Sequence, residues 1–177
     1  AGLEKEKAAL LIVIGALRDG TKEVLAIESG VRESTESWRA VLRSLQARGL
    51  PSPRLTIADG HLGIWGALAE IYPASAEQRC WNHKLLNVLD QLPRRIQPQA
   101  RALLSQLPYA ETRAECERLK RQVVARYGRA YPKAAETLER DWERMVTFYR
   151  FPREHWKHLR TSNVVESPFA AVRLRTD

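Results

Sequence analysis

Hydrophobic positions along the chain fall into two textures. Up to about residue 95 they come as short apolar runs that alternate with amphipathic stretches. Residues 8–17 form a run rich in β-branched side chains, the pattern of a buried strand. Asp19-Gly20 follows, and that dipeptide between two apolar runs predicts a tight hairpin into a returning strand over 22–28. Ser34 or Thr35 then caps a helix whose apolar face is Trp38, Val41, Leu42 and Leu45, and Gly49 stops it. Residues 54–58 predict a strand closing at Asp59, 61–72 a helix stopped by Pro73, 77–81 a short strand, and 83–92 a helix. The order strand, strand, helix, strand, helix, strand, helix is that of an α/β protein.

After residue 95 the strand signals vanish. Helical patterns run over 99–107, 112–127 and 132–146, with breaks at Pro98, Pro108, Gly128 and Pro132. This predicts one α/β core split by an all-helical insertion: core over 1–95, insertion over 96–148, and core again over 149–177. No internal repeat or low-complexity tract interrupts the scheme.

Composition narrows the partners more than the fold. The chain of 177 residues is 44% hydrophobic and 28% charged, which is globular composition. Its net charge is +8, and the basic residues concentrate after residue 79 with Trp81, Tyr127, Trp142, Tyr149 and Trp156 among them. Cations neutralise phosphates and flat rings stack on exposed bases, so the interleaving favours a nucleic-acid partner. Two cysteines, Cys80 and Cys116, do not make a disulfide framework, which points to a reducing compartment. No apolar run reaches the roughly 18 residues of a membrane span. The chain opens at Ala1 and its one methionine is Met145, so it is expected to be a fragment of a longer protein.

Three groups of residues carry candidate chemistry. Asp59, at a strand's C-terminal end, stands where open α/β sheets place their sites, and equally where an acid caps the next helix. Asn163-x-x-Glu166 has capping-box spacing, which gives Glu166 a local role at a helix start. Cys80-x-x-His83 has half the spacing of a zinc site. His155, His158, Cys116 and His61 are the other candidates to complete it, against a buried cysteine and a hydrogen-bonded histidine as the plainer account. No nucleophile-elbow pattern and no phosphate-cradling P-loop occurs.

Taken in order, several blocks are more specific than any one of them. They are Ala58-Asp59-Gly60-His61-x-Gly63, Gln78-Arg79-Cys80-Trp81-Asn82-His83-Lys84, Tyr149-Arg150-Phe151-Pro152, and Arg160-Thr161-Ser162-Asn163-x-x-Glu166-Ser167-x-Phe169 onward. Together they resemble the Mutator-type transposases of bacterial insertion sequences over nearly the whole chain. The resemblance implies an RNase H-like core with a helical insertion, and an Asp-Asp-Glu triad binding two Mg²⁺ (or Mn²⁺) ions. Asp59 would be the second Asp and Glu166 the Glu, with Cys80 and His83 as a signature pair between them. No residue here matches the first Asp, which the family carries on a central strand before residues 8–17. Pro168 also departs from the expected helix, being tolerated only near its first turn.

The implied reaction is phosphoryl transfer on double-stranded DNA, at the element's terminal inverted repeats and at a target. Two metal ions about 3.5–4 Å apart would activate the nucleophile and stabilise the leaving oxygen. Arg79, Lys84, Arg160, Arg173 and Arg175 are the expected phosphate contacts, and Trp142 or Trp156 could stack on a displaced base. The complete protein is expected to act as a homodimer or larger assembly in the bacterial cytoplasm, on the nucleoid. With the first strand missing, the fragment alone is expected to be inactive and poorly folded. The competing readings are an RNase H-like nuclease or resolvase that cuts without joining, a decayed DNA-binding remnant, and a helical interaction module.

Overall fold

The computed structural model describes residues 9–17, 19–30 and 34–163. Those residues divide into two compact units. One comprises the residues up to Thr56 with His61–Ala76, Ser162 and Asn163, and the other Ile57–Gly60 with Glu77–Thr161.

In the first unit, β1 (Ala9–Ala16) and β2 (Lys22–Gly30) form the expected antiparallel hairpin. Gly20 takes the positive φ of 87° that the turn requires, and the Asp19 carboxylate accepts from Thr21 N–H at 2.8 Å. The register slips between Val13 and Ile14, a bulge that lets Leu25 fill the space beside Gly15. Leu11 is buried, but Leu10, Leu17, Val24 and Ile27 stay about half exposed or more (49–61%) on this two-stranded ribbon.

Helix α1 (Thr35–Ala47) starts where the capping pattern places it: the Ser34 hydroxyl accepts from Ser37 N–H at 3.1 Å. It buries Trp38, Val41, Leu42 and Leu45, the four residues of its predicted apolar face. Against it lies α2 (Leu62–Ile71), whose Gly63 comes so close that a Cβ there would sit 2.6 Å from the Ser34 carbonyl carbon. The second glycine of the Asp-Gly-His-x-Gly block is therefore a helix-contact residue.

β3 (Leu55–Ala58) and β4 (Ala76–Arg79) form a second two-stranded sheet around α2. Ala76 N–H donates to Arg54 C=O and Cys80 N–H to Ala58 C=O, at 3.1 and 2.7 Å. Both partners advance by four residues together, so the strands run parallel and the segment is a β-α-β unit. Among the described residues the mixed α/β character is thus present, in two short separate sheets.

The second unit is built on helices: α3 (Trp81–Leu89), α4 (Gln97–Leu104), α5 (Arg113–Tyr127), α6 (Pro132–Glu139), α7 (Trp142–Met145) and α8 (Trp156–Leu159). Its core gathers Trp81, Val88, Leu89 and Leu92 from α3 and its end with Leu104, Leu107, Val123, Leu138, Met145 and Phe148. The change of texture at residue 96 therefore lies inside this packed core, because α3 buries its face against the helices that follow it. One predicted helix, 132–146, is two. Asp141 adopts φ 59° and ends the run between α6 and α7. Asp is among the few residues that tolerate that conformation.

Candidate functional site

Asp59, a half-buried residue, follows the last residue of β3, and its turn is shaped by the next residue. Gly60 has φ 109°, and a Cβ at that position would stand 2.1 Å from Arg79 Nε. Only glycine permits both the conformation and the approach. Arg79, the last residue of β4, thus lies against the Asp59–Gly60 turn, its Nε donating a long 3.4 Å contact to Asp59 C=O.

From there a chain of charge runs into the helical unit. Arg79 Nη1 donates to Asp141 Oδ2 at 3.3 Å, and Arg144 Nη1 to Asp141 Oδ1 at 3.0 Å. Arg144 Nε in turn donates to Glu77 Oε2 at 2.6 Å. The Arg79 and Asp141 side chains are only 9% and 15% exposed, so this pair is nearly shielded from solvent. Burial pulls the Arg79 pKa down, while the charges of Asp141 and then Asp59 push it back up.

Lys84 lies deeper still, with no exposed surface. Its ammonium donates to Thr137 C=O at 2.7 Å and to Arg140 C=O, carbonyls released at the C-terminal end of α6. A helix leaves its last carbonyls without partners and carries partial negative charge there, and a buried cation satisfies both needs. Burial, reinforced by the Arg79 charge and opposed by that of Asp141, draws the Lys84 pKa down to about 7.

The residues around Cys80 serve the same junction. Gln78, fully buried, donates to the carbonyls of Arg79 and Met145 at 2.8 and 2.9 Å and accepts from Phe148 N–H at 2.9 Å. Trp81 Nε1 donates to the same Met145 carbonyl at 3.0 Å. Cys80 is fully buried and forms no disulfide, and His83 is half-buried on the first turn of α3. His155 and His158 are exposed residues at the other end of the unit's sequence. Among the described residues no three His, Cys, Asp or Glu side chains gather as a metal site needs, so the four-ligand zinc arrangement is not formed.

Several expected site residues thus have other structural duties. Lys84 is a buried helix cap and Arg79 a buried ion-pair partner, where the sequence alone suggested phosphate contacts. Trp142 and Trp156 are 8% and 9% exposed and pack edge-on against Trp81, Phe148 and Tyr149. Arg160 lies across the rings of Tyr109 and Phe148. Glu166, Arg173 and Arg175 lie outside the described residues. Sequence reading missed Asp141 and the hydrogen bonds of Gln78. Gln78 stood inside a quoted block, but Asp141 carries no local signal beyond a charge within a helical pattern.

The comparisons with known proteins agree with this organisation of blocks. The family model described as "Transposase, Mutator family" matches residues 3–177, and the chain belongs to that family. It is 45% identical over 174 residues to the transposase for insertion sequence element IST2 of Acidithiobacillus ferrooxidans, covering 98% of this chain and 59% of that protein. The transposase for element IS6120 of Mycolicibacterium smegmatis is also 45% identical, with 98% of this chain and 54% of that protein covered. The transposase for ISRM5 of Rhizobium meliloti is 35% identical over 171 residues, covering 95% and 42%. The chain spans about half the length of these curated relatives.

Proposed function

We propose that this chain is the catalytic portion of an insertion-sequence transposase that cuts DNA at element ends and joins the freed ends to a target. The observation that carries the reading is the family match over residues 3–177, which includes both Asp59 and Glu166. In this reading the core is RNase H-like, and Asp59 and Glu166 are two of the carboxylates that bind Mg²⁺ or Mn²⁺. Hard oxygen donors suit those ions, and a bound divalent cation supplies electrostatic stabilisation of the charge that develops on phosphoryl oxygens. The described residues do not by themselves complete such a centre. Their own contribution is to hold Asp59: Gly60 turns the chain, and Arg79, tied to Asp141, keeps a positive charge beside the carboxylate.

The test is divalent-metal-dependent cleavage and strand transfer by the intact protein, compared with Asp59→Asn and Glu166→Gln. Each substitution is expected to lower both steps about 100- to 10,000-fold, as losing several kcal/mol of transition-state stabilisation requires. DNA binding should survive in both variants. Full activity in either would remove that residue from the site, and cutting without joining would make the protein a nuclease.

A further inference from the structure

One surface of the helical unit combines exposed aromatic and cationic groups in a way its packing does not use. Tyr109 ends a short 3-10 turn, Leu107–Tyr109, whose Leu107 and Pro108 are buried. The turn is anchored, yet the Tyr109 ring is held outward and the residue is 72% exposed. It borders a groove of about 450 Å³ formed with Arg153, Trp156, Lys157 and Arg160, a volume within the range of ligand clefts.

The two arginines are ordered without being neutralised by the groups that order them. Arg160 stands 4.9 Å from the centre of the Tyr109 ring and 5.4 Å from that of Phe148. Its Nε is buried and has no hydrogen-bond partner. Arg153 stands 5.1 Å from the centre of the Trp156 ring and donates to Glu111 C=O at 2.8 Å. Ring faces and a carbonyl fix a guanidinium in place but leave its full charge to act on an anion. Glu111 and Glu154 also line the groove, so three cations stand against two carboxylates. So slight an excess does not bind a polyanion by charge alone; the exposed ring must contribute.

The groove is also tied to the strand end that carries Asp59. Trp81 N–H donates to Arg160 C=O at 2.8 Å, and the preceding Cys80 N–H donates to Ala58 C=O at 2.7 Å. Two successive amides thus connect the two places.

We propose that this groove is a binding site for an unpaired DNA strand, with one base stacked on the outer face of Tyr109 and flanking phosphates on Arg153, Lys157 and Arg160. A base inside a duplex has both faces covered by its neighbours, so a stacking platform selects unpaired or distorted DNA. The proposal rests on the DNA-partner reading above, and the experiment separates the two.

The intact protein is titrated with an oligothymidylate carrying one central 2-aminopurine, and separately with the same oligonucleotide as a duplex. Tyr109→Ala is expected to weaken single-strand binding roughly 5- to 150-fold and to abolish the quenching of 2-aminopurine. Tyr109→Phe should keep both, and duplex affinity and melting temperature should not change. Lys157→Ala should lower the salt dependence of single-strand binding by about 0.7 in log–log slope. Unchanged single-strand affinity and quenching in Tyr109→Ala, with duplex binding intact, would overturn the proposal and leave the DNA reading standing. A wild-type protein that binds neither oligonucleotide would overturn both.

Discussion

Lys84 shows how a single residue's role turns on burial. On the sequence it stands in a basic block beside Arg79. In the fold its ammonium caps the carbonyls of Thr137 and Arg140. Its pKa is drawn down to about 7 from 10.5. Between those values the unfolded chain binds more protons than the folded one, so this residue's contribution to stability rises with pH there. Above about 10.5 the contribution is complete, and below about 7 it is lost as the buried amine becomes charged. The neutral amine still has two N–H donors for the two carbonyls. Lys84→Met removes them and is expected to destabilise the protein by about 1–3 kcal/mol for each carbonyl left unpaired. Thermal denaturation of both proteins from pH 6 to 10 should show the gap between them widening as pH rises. A gap that is flat across that range would mean that Lys84 does not titrate as its burial dictates.

At the scale of elements, the junction of α6 and α7 is decided by Asp141. Helical periodicity runs from residue 132 to 146 without a proline or glycine inside it, so local propensity favours one helix. The ion pairs with Arg79 and Arg144 favour a break, and they hold Asp141 at φ 59°. The break also frees the Arg140 carbonyl for Lys84. Asp141→Asn keeps a side chain that tolerates the left-handed conformation but removes the charge facing two arginines. It is expected to cost about 2–4 kcal/mol, somewhat less than the loss of one partner from a fully buried pair. Urea denaturation gives the number, and a change within about 0.5 kcal/mol, typical of a surface site, would show that the pair is not what shapes the junction.

At the scale of the whole molecule, stability is expected to be uneven. The β1–β2 ribbon has one strand pair and several exposed apolar side chains, whereas α3 and α5 are buried against a continuous core. Two-stranded ribbons are marginal alone, and the least stable parts of a fold exchange their amide protons fastest. In the 177-residue chain, amides of β1 and β2 are expected to exchange well before those of α3 and α5, as hydrogen exchange read by mass spectrometry would resolve. Equal protection in the two regions would count against this account of the fold.

Local features of the chain were legible in the sequence because local chemistry decides them. The Asp-Gly turn, the Ser34 cap, the apolar face of α1 and the place of Asp59 at a strand end all depend on residues a few positions apart. The linked blocks from Ala58 to Phe169 and beyond likewise point to the Mutator family. Only the tertiary structure could sort the cations and rings within those blocks. Lys84 and Arg79 turned inward, Trp142 and Trp156 joined the core, and Tyr109, which no pattern had singled out, was left on the surface beside Arg160. The physical reason is that burial and ion pairing are set by partners 53 to 62 positions away, Thr137, Arg140 and Asp141 among them. A cation's spacing in the chain says where it sits on its own element, but only the packed neighbours decide whether its charge meets solvent, a carbonyl or a carboxylate.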